Sequence, residues 1–135
     1  MLDYEVHAKA GSMFNTPPVF AVYVSMLTLE WLKAKGGVEA IEKINNEKAA
    51  LLYNEIDNNP AFVGFAAKED RSNMNVTFTL ADESQKEKFD ALAAAAGISG
   101  INGHRSVGGY RASIYNAMPI ESIQVLVNAM QELNK

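Results

Sequence analysis

Residues 17–35, PPVFAVYVSMLTLEWLKAK, are predicted to form a helix that is apolar on nearly every face. Asn15 or Thr16 can cap its first turn, and Gly36 and Gly37 end it. Large apolar side chains occupy two opposite faces, with Phe20, Tyr23, Val24, Leu27 and Trp31 on one and Val22, Met26 and Leu29 on the other. Such a helix has to be covered on both faces, which a single small domain seldom achieves. We therefore expect it to belong to a larger structure or to an interface between copies of the chain.

The order of the elements that follow indicates an α+β fold. A long helix is predicted over residues 38–58, and residues 73–80, NMNVTFTL, alternate between apolar and polar as a half-buried strand does. Further elements are predicted as strands at 62–65 and 110–115 and as helices at 82–97 and 119–133. This order predicts a two-layer unit in which helices pack on a sheet.

The composition excludes several classes of function. The net charge of −4 and the isoelectric point of about 5.1 argue against binding to nucleic acid or to an anionic membrane. The chain has no cysteine, and its two histidines, His7 and His104, are too few and too far apart for a zinc site, so we expect no metal. It begins without the pattern of a secretion signal, and its most apolar run, 17–29, is too short to span a bilayer. We expect a cytoplasmic protein.

Residues 102–113, NGHRSVGGYRAS, concentrate a residue type that is rare elsewhere in the chain. They hold Arg105 and Arg111, two of the three arginines, whereas most of the positive charge comes from nine lysines. Arginine presents a planar fork of donors that matches carboxylate or phosphate oxygens in pairs, and His104 can add a further donor. Two interpretations stay open: surface arginines that pair with acids, or a site for an organic anion with two negative ends. Arg105 and Arg111 would share a face only if the whole segment were extended.

Residues 11–18, GSMFNTPP, also allow two interpretations. They can simply mark the start of the helix, or they can bind a phosphate group, because the N–H groups at a helix start attract anions. In the second case the side chains of Asn15 and Thr16 would add donors.

Three stretches together resemble one family. GSMFNTPP at 11–18, RSNMNVTF at 71–78 and GHRSVGGYRASIYNAMP at 103–119 are similar to the C-terminal part of the phosphoserine aminotransferases, which are fold-type I transaminases that depend on pyridoxal phosphate. The resemblance implies three segments. Residues 1–37 would be a remnant of the cofactor-binding large domain, 38–59 a linking helix, and 60–135 the small domain, of the α/β aminotransferase type.

The resemblance also implies roles for individual residues. Asn15 and Thr16 would reach across a homodimer interface to the phosphate of the partner subunit's pyridoxal phosphate. His104 and Arg105 would bind the substrate phosphate, and Arg111 would bind the α-carboxylate through two parallel hydrogen bonds. The family transfers an amino group between glutamate and 3-phosphohydroxypyruvate in serine biosynthesis, so the expected substrate is a phosphorylated amino or keto acid.

One requirement of the family has no candidate residue in this sequence. A transaminase needs a lysine that forms a Schiff base with the cofactor, and none of the nine lysines fits; Lys43, Lys48, Lys86 and Lys88, for example, are predicted on the polar faces of helices. We therefore expect no catalytic residue in the chain, no bound cofactor and no activity from the chain alone. The alternatives are a free-standing module that binds an anion without converting it, and an oligomerisation module.

Overall fold

The computed structural model describes residues 3–135; residues 1 and 2, which belong to the predicted large-domain remnant, lie outside the described residues. Within the described residues, eight helices and strands follow one another. They are α1 (Tyr4–Lys9), α2 (Val19–Ala34), α3 (Gly37–Asn58), β1 (Phe62–Gly64), β2 (Asn75–Leu80), α4 (Lys86–Ala95), β3 (Tyr110–Ser113) and α5 (Ile120–Glu132). Single 3₁₀ turns occur at Lys68–Asp70 and Glu83–Gln85. None of the described helices is long and apolar enough to cross a membrane.

The chain divides into two compact units, the first ending at Val38 and the second spanning Glu39–Lys135. The first unit contains α1 and α2. None of the α2 residues is buried, and its large apolar side chains are exposed on both of the faces predicted from the sequence. Exposed apolar surface of this extent normally marks a contact with other protein.

Two details of the first unit differ from the sequence-based expectation. Helix α2 begins two residues later than predicted, with Pro18 rather than Asn15 or Thr16 at the N-cap position and no side chain capping it. Helix α1 is not predicted by the sequence pattern, since its six residues bury nothing and therefore show no apolar period. Its start is stabilised locally, because the carboxylate of Asp3 accepts a hydrogen bond from the N–H of Glu5.

The second unit confirms the α+β fold. Its sheet has the order β1-β2-β3, and both pairings are antiparallel. In β2 the side chains of Val76, Phe78 and Leu80 are buried, as the alternation predicts. One continuous core joins these residues to α3, α4 and α5; its helical members include Leu52, Ile56, Phe89, Ile123, Val127 and Met130. The helices bury their apolar stripes against the sheet.

An aromatic cluster at the centre of this core fixes the position of β3. The ring of Tyr110 stacks on Phe78 with 5.4 Å between ring centroids and meets Phe89 edge-on at 4.9 Å. Its hydroxyl donates a 2.8 Å hydrogen bond to the carboxylate of Asp90. Burial, reinforced by this carboxylate, raises the pKa of Tyr110 far above its usual value, so the hydroxyl stays protonated as a donor.

The prediction that Lys48 lies on a polar helix face is wrong. Its side chain is fully buried, and its ammonium donates hydrogen bonds to the backbone carbonyl oxygens of Ile114, Tyr115 and Met118, at 3.1, 2.7 and 3.1 Å. Desolvation lowers the pKa of Lys48. The sequence alone could not show this, because the acceptors come from residues 66 to 70 positions away.

The third arginine, Arg71, is used inside the fold. Its guanidinium binds both carboxylate oxygens of Asp57, at 2.9 and 2.6 Å, and lies 4.5 Å from the ring centroid of Tyr53. The hydrogen bonds from Arg71 lower the pKa of Asp57 from 3.8 to about 2. This pair joins the end of α3 to the segment that leads into β2.

Replacing Asp57 by asparagine should make the stability of the second unit less dependent on pH. Because the folded-state pKa lies below the unfolded-state value, ionised Asp57 contributes its stabilisation above pH 3.8 and loses it as the pH falls towards about 2. With 28 % of this side chain exposed, screening leaves a contribution of about 1–2 kcal/mol at pH 7. Urea unfolding at several pH values should show that the difference in unfolding free energy between wild type and Asp57→Asn becomes smaller from pH 4 downwards. A difference that stays constant to pH 2.5 would contradict this assignment.

Candidate anion-binding site

The loop that carries His104 and Arg105 is folded back on itself rather than extended. The N–H groups of Val107 and Gly108 both donate to the carbonyl oxygen of His104, at 2.9 and 2.8 Å, which closes a tight turn. At the base of the loop, the N–H of Gly103 donates to the carbonyl oxygen of Gly109 at 2.8 Å. The geometry in which Arg105 and Arg111 share a face of one extended segment is therefore not the one observed.

Glycine is required at two positions of this loop by close backbone contacts. A Cβ atom added to Gly103 would lie 2.0 Å from the carbonyl oxygen of Gly108. At Gly109 the backbone has a φ of +62°, and an added Cβ would lie 2.8 Å from the carbonyl oxygen of Phe78 on β2. The glycines thus let the loop pack tightly against itself and against the sheet.

His104 is held in one ring orientation by Ser106, a residue that the sequence analysis did not single out. The N–H of Ser106 donates to Nδ1 of His104 at 3.3 Å, and its Oγ lies 2.7 Å from the same nitrogen. Because Nδ1 accepts this bond, the neutral ring carries its proton on Nε2. The ring can therefore offer an N–H donor on its other edge. The spacing His-x-Ser in a turn is the sequence signal for this contact, because a serine two residues after a histidine can form a hydrogen bond with its ring.

Arg111 is directed outwards by the register of β3. Its neighbours Tyr110 and Ala112 are buried, so the alternation of the strand exposes Arg111, which is paired with Thr77 of β2. Its N–H donates to the carbonyl oxygen of Ile101 at 2.7 Å, which fixes the edge of the strand.

His104 and Arg111 line the same hollow, which has a volume of about 150 Å³. Its other walls come from β2 and the glycine loop and include Phe65, Thr77, Thr79, Gly103, Val107 and Gly108. Arg105 lies on the same turn but does not line this hollow. Arg111 also borders a second hollow of about 460 Å³, which is formed by residues 96–101, the end of β3 and the first half of α5. The structure thus brings two of the three residues predicted in this cluster to one cavity, with the third beside it.

The positive charges of Arg105 and Arg111 are not neutralised by acidic side chains in the described part of the chain. Within residues 3–135, neither Arg105 nor Arg111 forms an ion pair, whereas Arg71 is bonded to Asp57. The interpretation that these arginines pair with surface acids is therefore not supported by the described contacts. In a protein of net charge −4, two guanidinium groups without an ion pair to a described residue, beside a histidine donor, are chemically suited to hold an anion.

Asn15 and Thr16 lie in the first unit, in an exposed segment that precedes α2. Neither side chain is hydrogen-bonded to another described residue, and no side chain caps the first turn of α2. A side-chain amide, a hydroxyl and an uncapped helix start are donors of the kind that a phosphate group accepts. Among the described residues there is no cluster of histidine, aspartate and glutamate that could hold a metal ion.

Comparisons with known proteins agree with one another over nearly the whole chain. The family model of the class-V aminotransferases matches residues 1–126. The phosphoserine aminotransferase of Flavobacterium johnsoniae is 70 % identical over 133 residues, which cover 98 % of this chain. Solved structures include a phosphoserine aminotransferase with radiation damage at its Schiff base, 49 % identical with a TM-score of 0.87, and the pyridoxal-phosphate-bound enzyme of Trichomonas vaginalis, 40 % identical with a TM-score of 0.82.

These matches cover only a fraction of the relatives. The chain spans 37 % of the length of the F. johnsoniae protein and 37 % of the length of each of the two solved chains. The matches to the two solved chains cover 98 % and 96 % of this chain, respectively.

Replacing Gly109 by alanine should destabilise the loop more than the same change at the adjacent Gly108. Both residues have positive φ, so each substitution costs about 1–2 kcal/mol in backbone strain. At Gly108 an added Cβ meets nothing within 4 Å, whereas at Gly109 it meets β2, which adds about 1–3 kcal/mol. The free energies of unfolding of both variants, measured in urea, test this. Equal decreases in unfolding free energy for the two variants would show that the loop does not pack against Phe78 as described.

Proposed function

The chain belongs to the class-V aminotransferase family, and we propose that it supplies the substrate-binding portion of a phosphoserine aminotransferase. This enzyme would transfer an amino group between glutamate and 3-phosphohydroxypyruvate on the route to serine, in the cytoplasm and as a homodimer. The relatives that match over nearly the whole chain bear the name phosphoserine aminotransferase. The observation that carries the proposal is the hollow shared by His104 and Arg111. The guanidinium of Arg111 forms no ion pair with any residue that the structure describes.

The chemistry of the substrate assigns a role to each cationic group. Phosphoserine has a carboxylate at one end and a phosphate at the other, and both present pairs of oxygen atoms. In this proposal Arg111 binds the α-carboxylate through its planar fork, because the register of β3 directs this side chain outwards. His104, with its proton on Nε2, and Arg105 bind the phosphate from the adjacent turn. Lysine would provide a point charge without this bidentate fit.

The first unit would contribute to the binding of pyridoxal phosphate, which the family uses as its cofactor. Asn15, Thr16 and the uncapped start of α2 offer donors that fit the phosphate group of this cofactor. When bound, the cofactor supplies the electron sink for reaction at the α-carbon. The lysine that binds it would come from outside these residues, since the one buried lysine, among those described, is Lys48, which is bonded to three carbonyl groups.

A chimeric enzyme tests this function directly. The chain should replace the corresponding 37 % of the F. johnsoniae enzyme, to which it is 70 % identical. We expect the chimera to bind pyridoxal phosphate, seen by its absorbance, and to convert phosphoserine and 2-oxoglutarate. In the chimera, Arg111→Lys should raise the KM for phosphoserine and for glutamate by about tenfold or more, because both bind through an α-carboxylate.

A matched variant separates the two ends of the substrate. His104→Ala should raise the KM for phosphoserine by a larger factor than the KM for glutamate, because the far end of glutamate is a singly charged carboxylate rather than a phosphate. A chimera that binds the cofactor but does not convert phosphoserine would overturn the proposed function. Unchanged KM values in Arg111→Lys would overturn the role of Arg111 alone.

Self-association is a second candidate role, which the surface of α2 favours. Phe20 is 80 % exposed and Leu29 is 64 % exposed, on a helix with no buried residue. Surface of this kind associates with other apolar surface in water. This role is compatible with the first one, since an aminotransferase subunit can use the same helix within its own assembly.

The isolated chain should therefore be oligomeric in solution and become smaller when α2 is made polar. We expect sedimentation velocity to show a dimer or larger species for the wild type, and a shift towards monomer for the double variant Phe20→Gln, Leu29→Gln. The control Val63→Gln, at a half-exposed position of β1, should leave the oligomer unchanged. A wild-type monomer with α2 intact by circular dichroism would refute this role.

A further inference from the structure

The ammonium group of Lys48 is enclosed by backbone carbonyl groups rather than by acids. Its three hydrogen bonds go to Ile114, Tyr115 and Met118, and the whole side chain is shielded from solvent. No acidic side chain within residues 3–135 forms an ion pair with it. An ammonium has three N–H donors, so the three carbonyl oxygens use all of them.

This arrangement is a costly way to hold a fold together. A buried charge loses its hydration, and an apolar residue of similar volume often stabilises a protein as well or better. What an apolar residue cannot do is draw three carbonyl oxygens towards one point. The distinctive contribution of Lys48 is therefore the shape of the segment 114–118 rather than net stability.

The segment that Lys48 holds follows directly on the strand that presents Arg111. Ile114 is three residues after Arg111, and its two backbone groups are both fixed, the N–H by Met74 and the carbonyl by Lys48. Ile114 and Met118 also line the larger hollow that Arg111 borders. The end of β3 is thus held between β2 on one side and α3 on the other.

A second residue of α3, one helical turn before Lys48, also forms a hydrogen bond with segment 114–118. Asn45, which is buried, donates from Nδ2 to Oδ1 of Asn116 at 2.8 Å. Positions 45 and 48 are three apart and therefore lie on the same face of the helix. One face of α3 thereby contacts four residues of segment 114–118 through polar atoms.

We propose that Lys48 is a positioning residue for substrate carboxylate binding: its ammonium holds the segment 114–118 so that β3 presents Arg111 at a fixed place beside the two hollows. This inference rests on the proposed function. Arg111 binds the carboxylate, and Lys48 does not touch substrate. A displacement of about 1 Å in a binding group can cost up to a hundredfold in rate. Loosening segment 114–118 should therefore displace Arg111 and weaken its binding of the carboxylate.

The test compares Lys48→Met with Leu52→Ala in the active chimera. Leu52 lies one turn further along α3, is fully buried in the core and makes no contact of the Lys48 kind with segment 114–118, so it serves as a control for lost stability. We expect Lys48→Met to raise the KM for phosphoserine and for glutamate by about tenfold, with kcat reduced by less than about threefold. Leu52→Ala should leave both KM values unchanged. If Lys48→Met does not fold, Lys48→Arg, which keeps the charge but cannot converge its donors on one point, should show the same change in KM.

Hydrogen exchange on the 135-residue chain gives a readout that does not depend on activity. In Lys48→Met, or in Lys48→Arg as its substitute, the protection factor of the Ile114 amide should fall by more than the loss of global stability alone would cause. In Leu52→Ala the protection factor of this amide should fall only by the amount that the loss of global stability causes. Unchanged KM values in an active chimera would overturn the inference while leaving the proposed function intact. If the chimera is inactive, the proposed function fails, and equal loss of protection in both variants would then overturn the positioning of segment 114–118 by Lys48.

Discussion

The antiparallel pairing of β2 with β3 is the constraint on which the candidate site depends. It places Val76 opposite Ala112 and Phe78 opposite Tyr110, so these side chains face the core, and Arg111, opposite Thr77, has to point outwards. The aromatic contacts of Tyr110 hold the register, because a slip of one residue would bury a guanidinium among phenylalanine rings. The rigid core and the exposed arginine are consequences of the same alternation.

The net charge of the chain determines what the exposed arginine can bind. A protein of net charge −4 repels anions in general, so binding one requires a local group of donors that no internal acid neutralises. Arg71 shows the contrast, since its guanidinium is occupied by Asp57 and serves the fold. Arg111 and His104 have no such acid among residues 3–135, and they share a hollow. This contrast distinguishes an arginine that stabilises the fold from one that the proposed function assigns to substrate.

Much of the fold follows from the sequence where burial imposes a period, and the rest depends on contacts between distant residues. The strand Asn75–Leu80 and the helices α3 to α5 are predictable because their apolar spacing matches the period of the element, whereas α2 is predictable from its apolar run and from the glycines that end it. Helix α1 buries nothing and leaves no such signal. Arg105, Arg111 and His104 stand out by residue type, but the turn that separates Arg105 from Arg111 is made by backbone bonds to His104. The roles of Ser106 and Lys48 depend on partners that no local pattern identifies.

The most direct measurement is a crystal structure of the chimeric enzyme with phosphoserine bound. We expect the α-carboxylate to receive two parallel hydrogen bonds from Arg111 and the phosphate to lie within hydrogen-bonding distance of Nε2 of His104. The side chain of Arg105 should move towards the phosphate from its position beside the hollow. A carboxylate bound elsewhere, with Arg111 still directed into solvent, would contradict the account.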